Sequence, residues 1–316
     1  MDIAPGRLGA RWRRYKPLDE WALGRHAKYV RGKVARDDEK IIALLFDPQF
    51  YPYVRHLEPC DVVYHAYDDL SRQSGWTSEK AALQKSLLSH AKMVSASSEM
   101  IAQSLAHPDV RILENGADVE AFFRAADRSE PHDIVDIPHP RIGYVGALNR
   151  KVDFPLIATI AGSRPAWHWV PVGRVESRDL ESAPELAAAF RACQSMANVH
   201  VLGQKDRSEI PAYVGHMDVN TMCYRHGAKG WWTSGSPLKL HEYLCSGQPV
   251  VSAPLPAVRK FSDVLEIAGA PEEWLEALSR LLLAPDTRVA ARIEVALQNS
   301  WDKRVDVYEE WLSNIA

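Results

Sequence analysis

Short apolar runs alternate with longer amphipathic stretches along the chain. In its first part, four runs bounded by turn-forming residues have the length of buried strands: 41–46, 61–67, 92–97 and 110–113. Residues 79–91 have the apolar spacing of a helix, and Ser97 or Ser98 is placed to cap a helix that follows. This strand, helix, strand order predicts a parallel α/β sheet.

A second α/β series begins after residue 140. Its five candidate strands are residues 141–147, 167–173, 198–203, 218–224 and 248–254. Helical segments fall between them at about 154–161, 183–196, 207–215 and 237–246. The C-terminus is helical throughout, and its last helix, residues 300–312, has an apolar face made of Trp301, Val305, Tyr308, Trp311 and Leu312.

The polar segment 124–140 contains three prolines and is typical of a linker. It also contains His132, Asp133, Asp136 and His139, which we interpret as linker residues because prolines disfavour a metal-bearing helix. The prediction is an α/β protein with two doubly wound, Rossmann-like domains, residues 1–137 and 138–316. Such domains place a ligand cleft at the carboxyl ends of their strands.

Composition is that of an ordinary globular protein. The 316 residues include 38 Lys and Arg against 41 Asp and Glu, and 46% are hydrophobic, which excludes disorder as the main state. No apolar run approaches the ~18 residues of a membrane helix, and the N-terminus has no signal-peptide core. The cysteines form no CxxC pair, so we expect reduced thiols in a cytoplasmic protein; they are Cys60, Cys193, Cys223 and Cys245.

Positive charge is concentrated in residues 1–36, where ten basic and three acidic side chains give +7. Trp12, Tyr15, Trp21 and Tyr29 are interleaved with these charges. Such a stretch suits peripheral contact with an anionic membrane at its inner face, and a solvated helical face is the alternative. No nucleic-acid-binding motif follows, so no nucleic acid is expected as a partner.

The clearest chemical signal lies in residues 231–254. A turn of small residues leads to Pro237, expected at the first position of a helix that ends at Gly247. Free N–H groups at such a helix start suit phosphate. Lys239 and Glu242 share one face of this helix, as a cation for a diphosphate and a carboxylate for ribose hydroxyls, or alternatively as an exposed ion pair.

The run SPLKLHEYLCSGQPVVS, residues 236–252, resembles the nucleotide-sugar-binding motif of GT-B glycosyltransferases. Residues 141–148, 198–224 and 94–123 agree with that family in order and spacing. The chain is most similar to the teichuronic-acid-type and xanthan-glucuronosyltransferase-like enzymes, which build bacterial polysaccharides at the inner membrane surface. The resemblance covers about residues 60–316.

The resemblance implies a donor site for a nucleotide diphosphate sugar, UDP- or GDP-linked, that serves as co-substrate without a further cofactor or metal. Lys239 would hold the diphosphate and Glu242 the ribose, next to the turn that contains Ser236. The last helix would pack back on the first domain.

The other implied contacts come from loops that follow strands. Gly146 and its loop, with Arg150 or Lys151, would approach the phosphates. Tyr224 would lie against the base, or alternatively be a half-buried aromatic, and Gln204 would contact the base or the donor sugar.

Two departures from the family pattern change what is expected. Many retaining members carry a second Glu eight positions before the Glu242 position, where this chain has Ser234, so retention is not implied. Only the basic stretch precedes residue 41, so we expect a reduced acceptor side or a chain that starts late relative to its relatives.

An inverting transfer needs a base near the acceptor hydroxyl. Asp68 and Asp69 follow the strand 61–67 and are the candidates, with Asp68 preferred; His65 is expected to be structural. Both aspartates also suit a helix cap.

The sequence therefore predicts a metal-independent hexosyl- or uronosyltransferase acting on a lipid-linked or polysaccharide acceptor. The alternative is a non-catalytic GT-B-like protein that binds a nucleotide sugar or a partner enzyme, which the short N-terminal half favours.

Overall fold

A computed structural model of the protein describes residues 16–34, 39–73, 75–227 and 230–315. Internal contacts divide the chain into two compact units. The first extends to Leu113 and includes the last residues from Glu310, and the second is Glu114–Glu309. Each unit contains a parallel sheet with helices, which confirms the predicted α/β class.

The first unit has a four-stranded sheet whose strands lie side by side in chain order. They are β1 (Ile41–Leu45), β2 (Cys60–Ala66), β3 (Met93–Ala96) and β4 (Arg111–Ile112), all paired parallel. The helices are α1 (Lys16–Val34), α2 (Tyr51–Val54), α3 (Ser78–His90) and α4 (Glu99–Ser104). Of the two predicted cap residues it is Ser98 that caps α4, because its side chain accepts the Ile101 N–H.

The second unit has a five-stranded parallel sheet in the order β6-β5-β7-β8-β9. The strands are β5 (Arg141–Val145), β6 (His168–Val172), β7 (Val219–Met222), β8 (Val250–Ser252) and β9 (Glu266–Ile267). The chain leaves β5 to one side for β6 and returns to its other side for β7. Such a reversal opens a crevice outside the carboxyl ends of the strands, where ligands bind in open α/β sheets.

Nine helices of the described chain follow the first unit's four. They are α5 (Val119–Phe122), α6 (Phe154–Ser163), α7 (Ser177–Glu181), α8 (Pro184–Ser195), α9 (Ile210–Gly215), α10 (Leu238–Cys245), α11 (Pro271–Leu283), α12 (Val289–Gln298) and α13 (Trp301–Ser313). The large core of this unit combines side chains from β5, β6 and β7, among them Trp169, with helix residues such as Leu240 and Trp274.

The predicted strand over residues 198–203 is wrong as a regular strand. The segment is extended and makes one isolated bridge, Trp169 with Val199. It still bonds to β6 along its length, since His200 N donates to Trp169 O (2.8 Å) and Leu202 N donates to Pro171 O (3.0 Å). It therefore covers the edge of the sheet. The two-residue strand β9 was not predicted, because so short a pairing leaves no pattern in the sequence.

The segment predicted as a linker is an arm packed on the second unit. Ile134 and Ile137, with Phe122 before them, are buried in that unit's core. Asp133 accepts a hydrogen bond from Tyr213 Oη (2.6 Å), and His139 Nδ1 lies 2.7 Å from Asp218 Oδ2. The predicted boundary at 137/138 consequently lies inside the second unit, because three buried apolar side chains outweigh the polar composition around them.

The last helix, α13, ends in the first unit, as predicted. The Arg111 guanidinium lies 5.4 Å from the centre of the Trp311 ring, and Lys40 Nζ donates to Ile315 O (3.1 Å). Its predicted apolar face is covered only in part. Trp311 and Leu312 are half-buried, whereas Trp301 and Val305 are exposed.

Helix α1 contains the described part of the basic N-terminal segment; residues 1–15 and 35–36 of that segment lie outside the described residues. Arg31 Nη1 donates to Leu57 O (2.8 Å) and Pro59 O (3.1 Å), and Ala27 is fully buried. Across the ranges described, no helix combines the length and apolar character needed to cross a membrane.

Candidate functional site

Two glycines bring the loops after β5 and β6 into backbone contact. Gly146 follows β5 with φ +145°, and Gly173 follows β6 with φ +147°. A Cβ atom on Gly173 would lie 2.1 Å from Gly146 O, so a larger residue does not fit. The carboxyl end of the sheet therefore has a half-buried backbone loop at Gly146, without a side chain, that another group can approach closely.

Helix α10 starts at the same end of the sheet. Pro237 lies one residue before the helix rather than at its predicted first position, with φ −66° and ψ 121°. The first helical bond is Leu240 N to Pro237 O (3.1 Å), so the amides of Leu238 and Lys239 have no intrahelical acceptor. Asn115 Nδ2 donates to Ser236 O (2.7 Å) and fixes the turn before them.

The side chain of Lys239 is buried among aromatic rings. Its Nζ lies 4.4 Å from the centre of the Tyr144 ring and 5.2 Å from that of Tyr224. A Cβ atom on Gly146 would lie 2.5 Å from this Nζ, so the ammonium group sits against the glycine loop. Burial lowers the pKa of Lys239 to about 8, although Glu242 and Cys223 act in the opposite direction.

A second ammonium group shares the Tyr224 ring. Lys151 Nζ lies 5.4 Å from the centre of that ring and 5.5 Å from the centre of the Trp231 ring. Burial lowers the pKa of Lys151, and the positive charge of Lys239 adds to the effect. Within the described chain, neither Nζ makes a hydrogen bond or an ion pair with a carboxylate. Cations withdrawn from water without a carboxylate partner would be compensated by an anion with more than one charge.

Glu242 lies one helical turn after Lys239. It is half-buried, and no described side chain or amide donates a hydrogen bond to its carboxylate. Burial raises the pKa of Glu242 to about 7, while Lys239 and Arg207 act to lower it. The group is thus free to accept hydrogen bonds from ligand hydroxyls.

The remaining residues predicted for the donor site are Arg150, Gln204 and Tyr224, and none of them is shown beside the two ammonium groups as a free ligand contact. Arg150 Nε lies 3.3 Å from Asp179 Oδ1, so this guanidinium is turned towards α7. Gln204 is exposed and follows Gly203, whose carbonyl accepts the Gly173 N–H (2.8 Å). The Tyr224 ring is only 5% exposed beneath the two lysines, a placement that favours support of the cations over the predicted contact with a base.

Two tyrosines of the site were missed by the sequence reasoning. Tyr144 lies on β5 under Lys239. Tyr243 Oη accepts from Val145 N (2.8 Å) and donates to Val145 O (3.2 Å), which fixes the end of β5 before Gly146. For Tyr243, its position directly after Glu242 in the motif of residues 236–252 was a signal that could have pointed to the site. For Tyr144 there was no such signal in the sequence.

The candidate bases lie in the first unit. Asp68 is half-buried, accepts from Gln73 Nε2 (2.7 Å), and its pKa is raised by burial. Asp69 is buried and bound by Arg72 Nε (2.9 Å) and Ser71 Oγ (2.5 Å). Burial lowers the pKa of His65 to about 4, and its Nδ1 is 2.9 Å from Ser95 Oγ. Of the two aspartates, Asp69 is ion-paired with Arg72, whereas Asp68 has no ion pair within the described residues.

Comparison with known proteins finds matches to the second unit. Residues 139–284 match the family described as Glycosyl transferases group 1. Over 154 residues the chain is 30% identical to the putative teichuronic acid biosynthesis glycosyltransferase TuaH of Bacillus subtilis (strain 168). That match covers 48% of this chain and 36% of TuaH, so it spans little more than a third of the length of this relative.

Solved structures resemble nearly the whole chain. Anabaena Alr3699/HepE in complex with UDP and glucose has a TM-score of 0.65 at 18% identity, covering 86% of this chain and 77% of its own. A UDP-forming α,α-trehalose-phosphate synthase from Burkholderia xenovorans has a TM-score of 0.68 at 14% sequence identity. The match covers 93% of this chain and 78% of the synthase chain. The E. coli structure described as trehalose-6-phosphate bound with UDP-2-fluoro glucose has a TM-score of 0.71 at 12% sequence identity. The match covers 93% of this chain and 77% of the other chain.

The chain therefore has the GT-B fold, with two Rossmann-like α/β units. Its residues 139–284 match the Glycosyl transferases group 1 family, and the match to TuaH agrees with the predicted resemblance to teichuronic-acid-type enzymes.

The raised pKa of Glu242 predicts a stability effect. The folded state holds a proton on this carboxyl more tightly than the unfolded state, so stability falls as pH rises from 4.5 to about 7. At about 1.4 kcal/mol per pKa unit the loss is at most about 3.5 kcal/mol, less what water screens at this half-buried group. Glu242→Gln should abolish this part of the slope in thermal unfolding across that range. Glu276→Gln, on the exposed side of α11, is the control; an unchanged slope in Glu242→Gln would contradict the assignment.

Proposed function

We propose that this protein transfers a glycosyl group from a nucleotide diphosphate sugar to a lipid-linked or polysaccharide acceptor. The observation that carries the proposal is the pair of buried ammonium groups, Lys151 and Lys239, without a carboxylate partner in the described chain. A diphosphate carries the charge that would compensate them. The similar structures described with UDP or a UDP-sugar support the same ligand class.

The donor diphosphate would lie between Lys239, Lys151 and the Gly146 loop. The free amides at the start of α10 would donate to its oxygens, and the helix dipole would add positive charge. Glu242, one turn further, would accept hydrogen bonds from the ribose hydroxyls. Because lysines and a helix start supply the positive charge, the transfer we propose is independent of a metal ion.

Asp68 would act as the base. Its carboxylate is half-buried yet not ion-paired in the described residues, so it can accept a proton from an acceptor hydroxyl. Ser234 stands where many retaining relatives have a glutamate, which favours an inverting transfer assisted by this base.

Lys239→Ala and Glu242→Ala should each weaken the binding of UDP-sugars or GDP-sugars by roughly one to two decades. Each substitution removes a charged hydrogen bond worth about 1.5–3 kcal/mol. Titration calorimetry with UDP, GDP and their glucose and mannose derivatives measures the effect. The pair Lys303 and Asp306 on α13 has the same spacing but is exposed, so Lys303→Ala and Asp306→Ala are matched controls. Unchanged affinity in both site variants, or loss of turnover with EDTA, would refute the donor site.

Asp68→Asn should lower turnover by ~10²–10⁴-fold, because it keeps the size of the side chain and removes the base. Donor affinity should stay as in the wild type, since Asp68 is not part of the donor site. Release of nucleoside diphosphate with acceptor present measures turnover, and Asp109→Asn, an exposed aspartate of the same unit, is the control. Wild-type turnover in Asp68→Asn would move the role to Asp69 or His65. Absence of turnover in the wild type with every donor would favour the non-catalytic alternative.

We also propose that the basic N-terminal segment holds the protein at an anionic membrane surface. Within α1, Trp21 and Tyr29 are 62% and 57% exposed, and each has a cation one turn later, Arg25 and Lys33. These four residues recur every fourth position and form one stripe, opposite the face fixed by Arg31. Aromatic rings at headgroup level with cations beside them suit an anionic interface.

The Trp21→Ala, Tyr29→Ala double variant should bind anionic vesicles several-fold more weakly than the wild type, because two interfacial anchors are lost. Co-sedimentation with phosphatidylglycerol vesicles at low and high salt measures this. Trp301→Ala removes another exposed tryptophan, outside α1, and should bind as the wild type does. Equal binding to neutral vesicles would contradict the electrostatic part of the proposal.

A further inference from the structure

Three aromatic side chains are exposed at the carboxyl end of β1 and β2 in the first unit. Phe46 follows β1 and is 49% exposed, and Tyr67 follows β2 and is 45% exposed. Phe50, 63% exposed, ends the short 3₁₀ helix Pro48–Phe50 that begins directly after Asp47. Several large apolar side chains exposed at one edge are typical of a binding surface.

The sheet places two of these residues, Phe46 and Tyr67. The parallel register pairs Leu45 with Tyr64, which brings Phe46 beside His65, with ring centres 5.7 Å apart in an edge-to-face arrangement. The backbone of Tyr67 is held from the third strand, because Ser97 Oγ donates to Tyr67 O (2.8 Å). The backbone at Phe46 and Tyr67 is therefore held in place, which reduces the entropy lost when a ligand binds there.

Carboxylates are interleaved with the rings. Asp47 accepts the Gln49 N–H (2.8 Å), and Asp68 accepts from the Gln73 carboxamide (2.7 Å). Both carboxylates act on the Tyr67 hydroxyl, whose pKa is raised first by burial and then by their charge. Arg72, the cation beside them, is bound by Asp69. The edge thus offers aromatic faces, carboxylate oxygens and a phenol hydroxyl.

We propose that this edge, defined by Phe46, Phe50, Tyr67, Asp47 and Asp68, binds the sugar end of the acceptor as an uncharged pyranose residue. One face of a pyranose ring carries C–H groups that pack on aromatic faces, and its rim hydroxyls donate to carboxylates. A lipid diphosphate at the same place would bring its negative charges against Asp47 and Asp68, which is unfavourable. The inference rests on the proposed function, in which Asp68 takes the proton of the reacting hydroxyl.

Saturation-transfer NMR on the full chain tests this with cellobiose, maltose and chitobiose as neutral probes and farnesyl diphosphate as the lipid diphosphate probe. At least one disaccharide should bind the wild type. Phe46→Ala and Tyr67→Ala should each weaken its binding roughly three- to tenfold, because each loses a ring face. Tyr67→Phe keeps the ring and should retain most of the affinity. Phe123→Ala removes a phenylalanine of the second unit that is 45% exposed and should have no effect.

Binding of none of the disaccharides to the wild type would overturn the inference. So would binding of farnesyl diphosphate that both alanine variants abolish. Circular dichroism checks folding, and Phe46→Leu, which keeps apolar volume without a ring, serves if Phe46→Ala unfolds. Calorimetry with UDP and GDP separates this result from the proposed function. Disaccharide binding at Phe46 and Tyr67 without nucleotide binding would refute the donor proposal alone, and nucleotide binding without disaccharide binding would refute this inference alone.

Discussion

Two lysine ammonium groups, those of Lys151 and Lys239, pack on the ring of Tyr224. The electrostatics at the carboxyl end of the second unit's sheet depend on this packing. Burying a cation without a carboxylate is unfavourable, and the lowered pKa values of Lys151 and Lys239 reflect that cost. Aromatic faces offset part of it, and Tyr224 does so for both lysines. The arrangement persists because α10 is anchored by buried neighbours of Lys239, such as Leu240, and cannot rotate the ammonium group into water. An anion would complete the electrostatics that the protein leaves open.

On the other side of the candidate site, the backbone geometry also limits movement. The contact between Gly146 and Gly173 leaves no room for side chains, and Tyr243 holds both polar groups of Val145. These contacts restrict the conformations that the loop can adopt. The first unit has a comparable rigidity at the end of β2, where strand hydrogen bonds and the Asp69 ion pair hold the segment that carries Asp68.

Much of the fold could be predicted, because a short buried strand appears in the sequence as an apolar run bounded by turn-forming residues. For example, β5, β6 and β7 each lie within a predicted strand. Residues 198–203 were misjudged since an extended edge segment has the composition of a strand but lacks its full pairing. The arm was misjudged because three apolar side chains decide its packing and the prolines around them dominate the composition. At the donor site, Lys239 and Glu242 are spaced like an exposed pair. Only the tertiary structure shows that both are largely removed from water and that Tyr144 lies beneath the lysine.

The arm that precedes β5 has a practical consequence for anyone who wishes to study the second unit by itself. A fragment that starts at residue 138 would lose Phe122 and Ile134 from the core, and Asn115 from the turn that precedes α10. It would expose an apolar surface and release the hydrogen bond that anchors the turn before α10. The cut that respects the packing lies between Leu113 and Glu114. An isolated second unit therefore has to retain the whole polar, proline-containing segment that looks dispensable in the sequence.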